Sequence, residues 1–404
     1  MKAKKLLALL LALAMCLSLA ACGSSSSTTE STAPESTAPE TTASEGTLAG
    51  QTILIGNIAP MTGALAAYGV AVDNGIRLAA KEINENGGIL GGTIEISTKD
   101  DQHTPAESVS GFNALLSEGA CAIIGSVASA DTSAITSLAN EEEEVLITAT
   151  STADSITTED DYVFRSCFKD SFQGKMAAAF AASAGIKKAA ILYASDDTYS
   201  SGLRDAFVAA APEYGIEIVT EQATLATAVD FSSQLATITA SDAEMVFAPY
   251  YYSTVGPYIV PQAYEAGFDG YIIGADGFDG TEGYAAGDLA AYDKVYFTNH
   301  YSSDDSSEKV QDFVAAYTEA YGRDSLNALA ALAYDATYML AQAIETAGSI
   351  DSSDIRDAMV GMHYVGVTGD MTLDETGTPD KSVTILKFEV QDGKLVQKFV
   401  KTQG

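Results

Sequence analysis

The feature that most narrows the fold is a hydrophobic period that keeps changing between two and three-to-four residues. From Gly50 onward, short β-rich runs alternate with amphipathic helical stretches. Thr52–Ile58 reads as a strand. Val70–Asn84 reads as a helix, with Ile76, Ala79, Ala80 and Ile83 on one face and Gly87-Gly88 as its stop. Strand Thr93–Thr98, helix Pro105–Glu118, strand Cys121–Ile124, helix Thr132–Asn140 and strand Val145–Thr148 continue the series. It restarts after Phe172: a helix to Ala184, then Ala189–Tyr193, Ser200–Tyr214, Glu217–Thr220, Ser232–Ala240, Met245–Ala248, Tyr258–Ala266 and Tyr271–Ile273. Repeated β–α units predict parallel sheets covered by helices on both faces, and two such series predict two α/β lobes. The ending differs. Helices over Glu308–Tyr321, Leu326–Ala347 and Asp354–Val360 follow a strand at Val295–Thr298. A hairpin-like stretch (Val365–Gly369, Met371–Leu373) and strands Ser382–Val390 and Leu395–Phe399 come last, the final pair joined by a turn at Asp392-Gly393.

Open α/β sheets bind ligands at the carboxyl ends of their strands. Hydroxyl-rich segments stand at two such ends, Gly125-Ser-Val-Ala-Ser129 and Thr148-Ala-Thr-Ser-Thr152, where a pocket for a small polar molecule needs them.

The first 49 residues are of another kind. Lys2, Lys4 and Lys5 precede an apolar run from Leu6 to Leu19, the pattern of a secretory signal and shorter than the roughly 20 residues of a membrane span. Leu19-Ala20-Ala21-Cys22 resembles a bacterial lipobox, so cleavage is expected before Cys22 and lipid on its thiol; an ordinary A-x-A cleavage site is the alternative. From Gly23 to Ala49 the chain is almost wholly Ser, Thr, Ala, Pro and Glu, which predicts a solvated tether. Residues 1–21 are thus expected to be a signal peptide and 22–49 a lipidated tether that anchors the protein outside the cytoplasm.

Charge and chemistry exclude several functions. A formal net charge of −34 repels phosphates and anionic headgroups, so no nucleic-acid partner is expected. No Gly-x-Ser-x-Gly elbow, Walker loop or His-Glu-x-x-His helix is present, and the residues offer no nucleophile–base constellation, so no enzyme is expected. His103, His300 and His363 are dispersed near predicted loops and read as surface or hinge histidines. Asp100-Asp101 and Asp196-Asp197 close strands, where Asp caps the next helix or holds the loop. Glu141–Glu144 reads as a solvated turn. Cys121 and Cys167 are expected as buried thiols, with a disulfide between them as the alternative, and their spacing carries no metal signature; neither metal nor cofactor is expected.

Taken in order, the markers Ile55-Gly-x-x-x-Pro60-x-Thr62-Gly63, Tyr68-Gly69, Ile83-Asn84-x-x-Gly87-Gly88-Ile89-x-Gly91, Asp100-Asp101, Phe164-Arg165, Asp170-Ser-Phe-Gln-Gly174, Asp230-Phe231-Ser232, Tyr334-Asp335-Ala336 and Gly366-Val-Thr-Gly369 resemble the leucine/isoleucine/valine-binding proteins, the solute receptors of branched-chain amino-acid ABC importers. The resemblance runs from about Thr52 to near the C-terminus. It implies the type I periplasmic-binding-protein clamshell: two doubly wound parallel-sheet α/β lobes joined by three crossovers, placed near Phe168–Ser171, Thr298–Tyr301 and Val360–Val365. Lobe 1 is then 50–168 plus 301–360, and lobe 2 is 169–300 plus 361–404.

The resemblance also implies the site. Ser129 and the Thr152 amide would hold a ligand α-carboxylate. The Thr150 carbonyl, the Thr152 hydroxyl and Asp276 would hold an α-ammonium, and Tyr68, Tyr199 and Tyr251 or Tyr252 would form aromatic walls. Leu329 falls at the side-chain pocket. Well-known members usually carry Glu where Asp276 stands, and the family's first-lobe disulfide is replaced here by His103 and Ala128. The implied partners are a small amino acid and an ABC permease with cytoplasmic ATPases, served by a monomer. A sensory receptor on the same fold, or a receptor for an amide, urea or aromatic acid, is the alternative.

Overall fold

A computed structural model describes residues 46–158 and 161–404. The expected signal, Cys22 and most of the tether lie outside the described residues. The fold takes hold slightly before Gly50: the Leu48 N–H donates to the Leu90 carbonyl at 3.1 Å, and the Leu48 side chain is buried in the first core.

The first lobe opens with β1 (Thr52–Ala59), α1 (Ala66–Glu85), β2 (Thr93–Asp100), α2 (Pro105–Glu118), β3 (Ala122–Ile124), α3 (Ser129–Glu141), β4 (Leu146–Thr148) and β5 (Val163–Arg165). Its five strands are all parallel, in the order β2-β1-β3-β4-β5. Alternation along the strands loads both faces. Ile53 and Ile55 of β1 and Ile124 of β3 enter one core, while Leu54 and Ile58 of β1 and Ile123 of β3 enter the core under α2 and α3. Each fully buried aliphatic side chain is worth about 1.5–3 kcal/mol, which fixes the register against a one-residue slip.

The second lobe follows with α4 (Asp170–Ser183), β6 (Lys188–Ala194), α5 (Thr198–Ala210), β7 (Glu217–Thr224), α6 (Ser232–Ala240) and β8 (Met245–Phe247). After β8, α7 (Tyr252–Thr254) passes through a π-helical turn (Val255–Ile259) into α8 (Val260–Glu265), and β9 (Tyr271–Gly274) and β10 (Val295–Asn299) complete the parallel part. The chain then returns to lobe 1 as α9 (Glu308–Tyr321), α10 (Ala328–Ala347), α11 (Ser352–Met359) and the antiparallel hairpin β11 (His363–Gly366) and β12 (Gly369–Thr372). Finally β13 (Val383–Gln391) and β14 (Lys394–Gln403) extend the second sheet antiparallel, giving the order β14-β13-β10-β9-β8-β6-β7. Helices α1 and α10 pack so closely that a Cβ on Gly75 would lie 2.2 Å from the Ala330 carbonyl oxygen.

The hairpin departs from the boundaries expected above. Met362, Met371 and Leu373 sit in the lobe 1 core, and Asp335 of α10 accepts the N–H groups of Val367 and Thr368, both at 2.8 Å. Residues 361–379 therefore pack with lobe 1, and the last passage into lobe 2 falls at 380–382, after the expected Val360–Val365. There the buried Lys381 ammonium donates to the Ser166 carbonyl at 2.9 Å and to the Thr368 hydroxyl at 2.7 Å. Glu144 also differs from expectation: it is buried, and burial pushes its pKa up to about 7. Cys121 and Cys167 are free, buried thiols. No described helix is long and apolar enough to cross a membrane.

Candidate functional site

Both parallel sheets reverse direction at an equivalent point, between β1 and β3 in lobe 1 and between β6 and β8 in lobe 2. The loops leaving these points and the next strands face one another across a small cavity between the lobes. Lobe 1 contributes Leu65, Tyr68, Val127, Ala128, Ser129, Thr150 and Leu329 to its wall; lobe 2 contributes Tyr199, Tyr251, Asp276 and Gly277.

Ser129 opens α3, one turn earlier than expected, and its hydroxyl oxygen accepts the Ala153 N–H at 3.3 Å. The first N–H groups of this helix have no intrahelical acceptor, so the lobe 1 end of the pocket is a donor end suited to an anion. The Thr150 hydroxyl donates to the Val127 carbonyl at 2.7 Å and ties the β3 and β4 loops together. Thr152 stands behind the wall, fully buried. Its carbonyl accepts the Asp170 N–H at 2.8 Å and the Arg165 guanidinium at 3.0 Å.

On the opposite side, Asp276 follows β9 and is held at both oxygens. Tyr199 donates its hydroxyl to Oδ1 at 2.8 Å, and Nε2 of His300 lies 3.2 Å from Oδ2. The Tyr199 hydroxyl in turn accepts the Gly277 N–H at 2.8 Å, and a Cβ at Gly277 would come within 2.8 Å of that same oxygen. Tyr199 and Tyr251 are stacked at 4.9 Å between centroids. Burial pushes the phenols of Tyr68, Tyr199 and Tyr251 well above their ordinary pKa, so they remain neutral hydroxyls. Among the described residues Asp276 is the wall's one carboxylate, and none of them puts a cationic side chain there.

Tyr68 and Tyr252 span the lobes. The Tyr68 hydroxyl, on α1, lies 2.8 Å from the Gly277 carbonyl and 2.9 Å from that of Asp279. Tyr252 reaches the other way: its hydroxyl donates to the Ala64 carbonyl at 3.2 Å and accepts the Ala67 N–H at 3.3 Å, while its ring packs edge-on to Tyr68 at 4.5 Å. Tyr251 is thus on the wall and Tyr252 is a strut at its edge.

Sequence reasoning missed His300. It lies in the second crossover, fully buried, stacked on Phe168 of the first crossover at 3.8 Å. Burial lowers its pKa, outweighing the opposite pull of Asp276, so the neutral ring donates from Nε2 to the carboxylate. Its place in a predicted hinge was legible; its aim at Asp276 was not. Asp170, buried behind Thr152, was also passed over, and burial drives its pKa well up.

A family model described as periplasmic binding protein matches residues 52–394, and the chain belongs to this family. It is 31% identical to the Leu/Ile/Val-binding protein BraC3 of Rhizobium johnstonii, over 86% of this chain and 94% of that one. Among solved structures, a branched-chain amino-acid transporter substrate-binding protein, LivJ of Streptococcus pneumoniae in complex with isoleucine, is 30% identical with a TM-score of 0.77, covering 87% of this chain and 99% of that one. A solute-binding protein of an ABC transporter from Rhodopseudomonas palustris, in complex with 3,4-dihydroxybenzoic acid, is 26% identical with a TM-score of 0.79, covering 87% and 97%.

Proposed function

We propose that this chain is the extracytoplasmic solute-binding receptor of an ABC importer and that it takes a small α-amino acid, branched-chain or otherwise aliphatic, in the cleft between its lobes. One observation carries this reading: a small cavity with neutral donors at one end, a single carboxylate at the other and aliphatic side chains between. A zwitterion needs donors for its carboxylate and acceptors for three N–H groups, and here the donors stand on lobe 1 while the charged acceptor, Asp276, stands on lobe 2. Ser129 and the first turn of α3 would receive the carboxylate, with the Thr152 amide behind them. Asp276 would receive the ammonium together with the Thr150 carbonyl; the Thr152 hydroxyl expected beside them is buried behind the wall and would act on the site only through Asp170. Leu65, Val127, Ala128 and Leu329 would meet the aliphatic side chain, and Tyr68, Tyr199 and Tyr251 would close over it. No bond is made or broken in this reading. Lobe closure is driven by contacts available only when both halves meet the ligand, and the closed form is what an ABC permease would receive. The lipidated Cys22 and the tether would keep a monomeric receptor at the membrane surface.

The stacked tyrosine pair, together with the dihydroxybenzoate-bound relative, favours a second reading in which the ligand is an aromatic acid. The readings separate on Asp276, which an amine-free acid leaves without a cationic partner. A thermal-shift and calorimetric screen of leucine, isoleucine and valine against benzoates decides between them. A ligand at 100 times its Kd adds about 2.7 kcal/mol to stability. Aliphatic amino acids should raise the melt and amine-free acids should not; the reverse pattern would sink the zwitterion model.

A further inference from the structure

The pocket wall has a charged support that its own residues do not explain. His103 occupies the loop between β2 and α2 with φ of 56°, beside Gln102 at 52°, a pair of left-handed residues where glycine would be easier. Its Nδ1 lies 2.6 Å from Oδ2 of Asp131, in the first turn of α3. Asp131 is fully buried, and its other oxygen has no partner among the described residues. The face of lobe 2 meets the same imidazole: the Tyr251 ring stands edge-on to it at 6.0 Å, and Asp197, the N-cap of α5, is near enough for the two charges to act on each other. Asp101, in the same loop as His103, adds a third carboxylate. Asp131 thus holds the ring directly, Asp101 accepts the His103 backbone N–H at 3.0 Å, and Asp197 of lobe 2 acts on the ring from beyond hydrogen-bond distance, with Tyr251 beside it. Without a cation between them, Asp131 and Asp197 repel as the cleft shuts.

We propose that His103, as the imidazolium, is a positioning residue for the closed pocket: it bridges Asp131 of one lobe to Asp197 of the other and braces Tyr251 against the ligand, so that capture tightens as pH falls through the imidazole's range.

The direction follows from linkage. Burial alone lowers the imidazole pKa, but the Asp131 hydrogen bond and the surrounding carboxylates more than reverse it, and the net pKa is raised. Parting the lobes takes away Asp197 and Tyr251, so the closed form holds the proton more tightly than the open one. The gain in closure is complete below the open-form pKa and is lost as pH rises through the closed-form pKa. Asp197 is itself raised by burial and would act with the same sign at lower pH, so the variants must separate the two groups.

This inference rests on the proposed function only in requiring a ligand that closes the cleft. The test is calorimetric titration of the protein with isoleucine, and in parallel with 3,4-dihydroxybenzoate, from about pH 5.5 to about pH 8. Affinity should weaken about five- to tenfold across that range, should be low and nearly flat in His103→Asn, and should lose most of its slope in Asp197→Asn while the melting temperature stays close to wild type. A slope that survives in His103→Asn, or a flat profile in the wild-type protein, overturns the bridge. Binding of the benzoate alone, with the slope present and abolished by His103→Asn, would sink the amino-acid reading and leave the bridge standing.

Discussion

The two lobes share one strand order and bring different chemistry to the cleft. Lobe 1 runs β2-β1-β3-β4-β5; lobe 2 runs β7-β6-β8-β9-β10 before its two antiparallel strands. Each sheet therefore presents a switch point and the strand end beside it. Lobe 1 fills these positions with Ser129, Thr150 and a helix N-terminus, all neutral. Lobe 2 fills them with Asp276, two stacked tyrosines and a buried histidine. The sheets dictate where a ligand sits, and the first residues after each strand dictate what it is. In the reading proposed above, with the donors on one lobe and the charge on the other, neither lobe alone would satisfy both ends of a zwitterion, and binding and closure would be a single event.

The sharpest way to break this division is Asp276→Asn, which removes the charge of lobe 2 and keeps its shape. Affinity for isoleucine should fall about a hundredfold, roughly 2.7 kcal/mol, by calorimetry. A loss below about tenfold would mean that the ammonium is held elsewhere. Ser129→Ala tests lobe 1. A hydroxyl hydrogen bond to a charged group is worth about 1.5–3 kcal/mol, and the α3 amides remain, so a loss of about tenfold is expected. In the double variant the two losses should fail to add, since closure is shared between them.

The repeated β–α units were enough to predict parallel sheets with helices on both faces, and both sheets have that form. The strand-end hydroxyls were legible for the same reason, since topology sends the residues after each strand to the cleft. What could not be read were contacts between distant crossovers. His300 meets Asp276 while stacked on Phe168, a residue from another crossover. The β11–β12 hairpin has the alternation of a short sheet but no mark of which lobe it joins; Met362, Met371 and Leu373 decide that by packing. Glu144 looked like its three neighbours, yet it precedes the buried β4 and is drawn in with it.

Glu144 supplies the next test, now on stability. Its folded pKa of about 7 lies above the ordinary value of 4.5, so the native state binds the proton more tightly than the unfolded chain. The stabilisation is complete below about pH 4.5 and is lost as pH rises through about 7, which leaves lobe 1 burdened by a buried charge in mild alkali. Glu144→Gln should therefore stabilise the protein by on the order of 1 kcal/mol at about pH 8, with little effect near pH 5, in paired thermal melts. Ligand affinity should not change, because the residue is remote from the cleft wall. An equal effect at both pH values would show that the gain comes from packing instead.

The smallest effect concerns the side-chain end of the pocket, where lobe 1 meets the ligand with aliphatic groups alone. Leu329 is the second residue of α10, and the start of that helix is held across the cleft by Asp279, whose carboxylate accepts the Ala328 N–H at 2.7 Å. Its side chain therefore cannot retreat when a ligand enters, and the room beside it is set by its own volume. Leu329→Phe should take up space without touching either charged end. Leucine and isoleucine should weaken relative to valine by about fivefold, close to 1 kcal/mol, the lower end of what a methylene is worth in an apolar pocket. Competition calorimetry with the three amino acids reads this ratio directly. If the ratio holds while all three weaken together, Leu329 acts on closure through α10, and the aliphatic selectivity belongs to Leu65 and Val127.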